Sequence, residues 1–160
     1  MSFQIKDLVV HRIHGLCEIA EIIMNDDREF YRVTPLRDSR ITIYVPIGAN
    51  TEIIRKPLDK EEAMEVLNYI KELDVDLSLT CKKRREVCSK KVGSNNPYDL
   101  AFLIKTLTYY KNERKSKQLS FSDTDNQILD KALETLVDEF NISFNSNKEE
   151  TINSINNCLV

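Results

Sequence analysis

A chain of 160 residues has room for one ordinary domain or two small ones, each with a modest core. Its 41% hydrophobic and 31% charged residues describe a folded globular chain rather than a disordered one, and no apolar run approaches the roughly 20 residues of a membrane helix. The formal net charge is only −3, yet residues 1–57 are neutral, 58–80 carry −5, 81–118 carry +8 and 119–160 carry −6, so one segment reads as an anion-binding face with nucleic acid the first candidate.

Met1-Ser2-Phe3-Gln4-Ile5 has neither a basic nor an apolar leader region, so no secretory signal is expected and a cytoplasmic location is the default. Phe3, Ile5, Leu8, Val9 and Val10 form a first strand, which His14-Gly15 interrupts as a turn. Cys17, Ile19, Ile22 and Ile23 make a second strand, and Asn25-Asp26-Asp27 a hairpin turn. Phe30, Tyr31 and Val33 make the third. After a turn at Asp38-Ser39, the run from Arg40 to Pro46 alternates Ile41, Ile43 and Val45 with Thr42 and Tyr44, and a brief fifth strand lies at Glu52-Ile53-Ile54-Arg55. Five short strands within residues 1–57 predict a small barrel of the SH3 or Tudor type.

From Asp59 the period changes to that of a helix: Ala63, Met64, Val66, Leu67, Ile70 and Leu73 recur on one face, with Glu61 and Glu62 in the first turn, and Asp74-Val75-Asp76 closes it. The positive charge then gathers in Cys81-Lys82-Lys83-Arg84-Arg85-Glu86-Val87-Cys88-Ser89-Lys90-Lys91. Val87 and Val92 leave that helix a thin apolar stripe, so it packs on one side and shows its charges on the other. Gly93 to Pro97 is a loop, in which Asn96 caps the next helix, with Pro97 first and Asp99 third. That helix buries Leu100, Leu103, Ile104 and Leu107 and runs toward Tyr109-Tyr110-Lys111, after which Lys111–Lys117 reads as a solvated helix end and loop. Ser122-Asp123-Thr124-Asp125 starts the last clear helix, whose buried face is Ile128, Leu129, Ala132, Leu133, Leu136, Val137 and Phe140. Ile152, Ile155 and Leu159 support only a weak terminal helix. The fold class is therefore α+β, with a barrel over 1–57, a helical domain over 58–145, and a polar tail over 146–160 that is disordered or weakly helical.

Cys17, Cys81, Cys88 and Cys158 lack the spacing of a zinc knuckle, so no metal or other cofactor is expected and the thiols read as reduced. His14 before Gly15 is a turn residue with no nucleophile or carboxylate placed beside it, and three glycines build no phosphate-cradling loop. Catalysis is not expected.

Phe3-x-x-x-Asp7-x-Val9-Val10-x-x-x-His14-Gly15-x-x-x-Ile19-x-x-Ile22, followed by Ile43-x-Val45-Pro46 and Ile54-Arg55, resembles the RNA-polymerase-interacting domain of the CarD/CdnL transcription regulators, a module similar to one in the transcription-repair coupling factor. Lys83-Arg84 stands where that family opens a helix with a basic pair. Leu119-Ser120-x-x-Asp123 with Leu129-x-x-Ala132-x-x-x-Leu136-x-x-Glu139 resembles its closing helix, so that the likeness spans roughly residues 1–142.

The resemblance implies a bacterial, non-enzymatic factor, monomeric and without a membrane partner, that associates with the nucleoid through RNA polymerase. Its barrel would bind the polymerase β subunit by pairing the strand Arg40, Ile41, Thr42, Ile43, Tyr44, Val45 and Pro46. Its helical domain would contact promoter DNA, through the backbone and minor groove at the upstream bubble edge, and so modulate the open complex. The contacting residues would be Cys81, Lys82, Lys83, Arg84, Arg85, Lys90 and Lys91, with Lys83 and Arg84 favoured. The sequence also departs from the family. Trp is absent throughout, and Cys81 stands where a wedge tryptophan is usual. Tyr44 replaces a basic residue, Lys6 a glycine, and His11-Arg12 a Tyr-Pro. The missing tryptophan leaves open a pure adaptor that binds polymerase without a DNA wedge.

Overall fold

A computed structural model of the chain describes residues 2–48 and 53–160. It divides into two units, Met1–Pro57 and Leu58–Val160.

The first unit is one antiparallel sheet of β1 (Leu8–His11), β2 (Gly15–Asn25), β3 (Arg28–Pro35), β4 (Ile43–Pro46) and β5 (Ile54–Arg55), in the order β4-β3-β2-β1-β5. The β2–β3 hairpin closes through Asp26 and Asp27, both left-handed (φ 48° and 64°), the backbone that a two-residue hairpin turn needs to match strand twist. A bulge between Ile19 and Glu21 bends β2. Val9, Cys17, Ile19, Tyr31, Val33, Val45 and Ile54 form one buried cluster to which every strand contributes, including both edge strands. The sheet thus curls around a single core as a small barrel does, although no ladder joins β4 to β5 among the described residues.

Three strand boundaries differ from the sequence reading. Phe3 and Ile5 lie outside β1: the Phe3 amide donates to the Tyr31 hydroxyl at 2.9 Å and their rings meet edge to face, while Ile5 sits exposed in a turn closed by Asp7 N–H to Gln4 O at 3.0 Å. Arg40, Ile41 and Thr42 precede β4, because the Asp38 carboxylate accepts both the amide and the guanidinium of Arg40 and closes a turn there. Of the fifth strand Ile54 and Arg55 are found, and Glu52 lies outside the described residues.

Lys6, in the position where the similar family carries glycine, has φ 76°. A side chain costs about 1 kcal/mol in that left-handed conformation. Lys6→Gly is therefore expected to raise stability by about 0.5–1 kcal/mol in urea denaturation, whereas Lys6→Ala leaves it near wild type.

The second unit contains α1 (Lys60–Glu72), α2 (Cys81–Ser89), α3 (Pro97–Ser116), α4 (Asp123–Ser143) and α5 (Lys148–Leu159). Asp59 and Glu62 complete a capping box at the start of α1, and Lys105 donates to the carbonyls of Ile70 and Lys71 at its end. Asn96 caps α3 by accepting from Tyr98 N–H, with Pro97 in the first turn. Central in the unit, α3 packs against both α1 and α4 and buries Ala101, Leu103, Ile104, Thr106, Leu107 and Tyr110. It also continues through Lys111–Ser116 instead of ending there, since Lys, Arg and Glu are good helix formers and Arg114 and Lys115 suit its C-terminal dipole.

The chain enters this unit pinned to α4. The Leu58 amide donates to the buried Glu139 carboxylate at 2.8 Å, and the Ser143 hydroxyl donates to the Leu58 carbonyl at 2.6 Å. The terminal segment expected as a weak or disordered tail is a full helix: Asn147 caps α5, and Thr151 and Ile155 are buried. Ile152, Cys158 and Leu159 pack on the same core. Among the described residues no helix is long and apolar enough to cross a membrane.

Candidate functional site

The first candidate surface is the β4 edge. Its ladder pairs Phe30 with Pro46, Tyr31 with Val45, Arg32 with Tyr44 and Val33 with Ile43, and Ile47 N–H donates to Glu29 O one residue beyond. Bonded and non-bonded positions alternate in an antiparallel pair. Ile43, Val45 and Ile47 therefore turn their backbone groups toward β3, while Tyr44 and Pro46 turn theirs to the open side. Pro46 has no amide hydrogen, which leaves Tyr44 as the outward donor of β4. Tyr44 is 55% exposed, whereas Val45 is 1% exposed in the core. Arg40, Ile41 and Thr42 belong to the approach to this edge and not to its ladder.

The second candidate is α2. Thr80 caps it, accepting from Lys83 N–H at 3.2 Å. Only Arg84 and Cys88 of its nine residues are buried, so the inward stripe is not the Val87/Val92 one expected. Val87 is half-buried and Val92 lies past the helix, 49% exposed.

Arg84 corrects the sequence reading most sharply. The residue is 4% exposed, and its guanidinium donates two N–H groups to Asp125 Oδ2, at 3.2 and 3.1 Å, with a third contact to Cys81 Sγ at 3.8 Å. It also lies 4.8 Å from the centre of the Tyr110 ring. Burial pulls the guanidinium down, but Asp125 outweighs it and holds the charge. Arg84 has no surface to offer a phosphate. Lys91 is partly committed too, with its ammonium 3.2 Å from Asp99 and over the Phe102 ring. Exposed to solvent are Cys81, Lys82, Lys83, Arg85 and Lys90, with Lys83 in a loose 3.7 Å pair with Glu86.

No acidic residue occupies the first turn of α2, where Lys82 and Lys83 stand instead. Cations there oppose the helix dipole, which favours an anion at that end. Cys88 is inert by comparison, since burial and then Asp125 push its thiol up to about 11. Among the described residues no group of three or more His, Cys, Asp or Glu is placed to hold a metal ion, and the four cysteines are free thiols.

Sequence reasoning missed Asp125 and Tyr110. The Tyr110 hydroxyl accepts Leu79 N–H at 3.0 Å and donates to the Asp76 carbonyl at 2.6 Å, so it fixes the lead-in to α2 while its ring supports Arg84. Asp125 carried one local signal, its place three residues after the Ser122 cap. Ser122 does accept its amide, but the carboxylate turns to Arg84, 41 residues back in the chain.

Residues 3–58 match the family described as CarD-like/TRCF RID domain, and residues 65–156 match CarD, C-terminal domain. No curated protein matches the chain.

Proposed function

The chain belongs to the CarD family of RNA-polymerase-interacting transcription factors, and from that premise we propose that β4 docks on the polymerase β subunit while α2 meets the backbone of promoter DNA at the upstream edge of the bubble. The protein works where the polymerase works, in the cytoplasm, as a monomer. Strand addition at β4 supplies affinity through the Tyr44 backbone and partner choice through the exposed alternate side chains. The DNA contact neutralises phosphates and is not base-specific, so its strength falls steeply with salt.

The observation that carries the DNA reading is the exposure of Lys82, Lys83 and Arg85 around a helix start whose first turn holds no acidic residue, Glu86 pairing only loosely with Lys83. A phosphate there relieves the repulsion between those lysines and the helix dipole. Cys81 is exposed at the head of the same helix but is too small to replace base stacking, so the contact is with the backbone and holds the bubble without a large wedge.

A test is open-complex lifetime with and without the protein. Lys82→Glu with Lys83→Glu should erase the gain while polymerase capture is unchanged, and DNA affinity measured against salt should lose about 2 from its log–log slope. A second reading, an adaptor that touches polymerase alone, is favoured by the commitment of Arg84 to Asp125 and of Lys91 to Asp99. It predicts capture with no lifetime gain and no response to the charge reversals.

A further inference from the structure

We propose that Asp125 and Tyr110 are positioning residues that clamp α2 through Arg84, setting the direction in which Lys82, Lys83 and Arg85 point; this rests on the reading that α2 faces the DNA backbone. A nine-residue helix is too short to be stable in water by itself, and this one has lysines where its dipole wants anions. Its order must come from what holds it. Apolar burial supplies little, because Cys88 is the sole hydrophobic residue it buries.

Within its nine residues the remaining attachment is polar and converges on one arginine, while Lys91 just past the helix end pairs with Asp99. Two N–H groups of Arg84 end on a single buried oxygen of Asp125, and the guanidinium plane is backed by Tyr110. Asp125 is itself fixed by the start of α4, where its amide is held by the Ser122 hydroxyl. Burial raises the Tyr110 phenol, so it stays protonated and donates to Asp76 O while accepting from Leu79 N–H. One tyrosine thereby grips the approach to α2 and the arginine inside it. The clamp takes one positive charge out of the surface and in return gives the exposed cations a fixed orientation.

The experiment measures amide hydrogen exchange across the full chain, together with affinity for a short DNA duplex over a range of salt. Tyr110→Phe keeps the ring and removes two hydrogen bonds. It should speed exchange in α2 about tenfold, while α1, α4 and α5 keep their wild-type protection. DNA affinity should fall severalfold with the salt slope unchanged, because no phosphate ligand is lost. Asp125→Asn should loosen α2 further, and if it unfolds the unit, Tyr110→Phe alone decides. Lys82→Gln with Lys83→Gln should do the opposite, lowering the slope while exchange in α2 becomes no faster, since it removes two cations that oppose the helix dipole. If Tyr110→Phe speeds all helices alike, or leaves α2 as slow as before, the clamp is overturned. If the wild-type protein binds no DNA, the DNA reading fails, and exchange confined to α2 still upholds the clamp.

Discussion

Replacing Tyr44 by proline is expected to leave the N-terminal unit folded and to cut capture of the polymerase β lobe by about tenfold to a hundredfold. The asymmetry follows from the register. Because Ile43, Val45 and Ile47 serve the ladder with β3, the Tyr44 amide can be deleted without removing a bond from the sheet. Proline is tolerated on an edge strand when its missing donor faces outward, and Pro46 already occupies the equivalent outward position two residues on. A docking strand would lose one donor and bury an acceptor with no partner, which costs about 1–3 kcal/mol. The control is Val45→Pro, which breaks the ladder at a position 1% exposed and should lower the melting temperature as well as capture. Capture of Tyr44→Pro at wild-type strength, with the fold intact, would rule out docking at β4.

Much of the architecture could be read from local patterns, and the failures have a common cause. The Asn96-Pro97 start of α3 and the Ser122 start of α4 are set by caps within four residues, and the structure places both there. The inward face of β4 followed from period-two alternation. The outward turn of Tyr44 did not, since bonding parity depends on the partner strand. The tail is a fuller helix than the weak one expected, because the stripe of Ile152, Ile155 and Leu159, spaced three and four apart among Asn and Ser, is stable only once α1 and α4 are there to receive it. Arg84 was misjudged for the same reason. Nothing within Lys82–Arg85 tells which side chain turns inward, and the phase of the helix is decided by Asp125 and Tyr110, brought in from α4 and α3. The basic run was legible as a feature of the chain, but its usable charges required the tertiary partner.

His11 carries the other large expected effect, a pH dependence of stability in the N-terminal unit. The ring is buried, and its Nδ1 accepts the amides of both Ile13 and His14, at 3.1 and 3.2 Å. A proton on Nδ1 would abolish both bonds. Burial, then His14, whose ring centre lies 5.2 Å away, and then Arg12 lower its pKa from 6.5 to about 4. The folded form therefore binds fewer protons than the unfolded one between those values, so this stabilisation is complete above about pH 6.5 and is lost as pH falls toward 4. From pH 7.5 to pH 5 the loss should be about 2 kcal/mol. Urea denaturation followed by circular dichroism at the two pH values measures it, with His11→Asn as the comparison that removes the titrating group. The step should vanish in that variant. A wild-type loss matched in full by His11→Asn would instead assign the acid sensitivity to the carboxylates, and the imidazole would have to be solvated enough to keep its ordinary pKa.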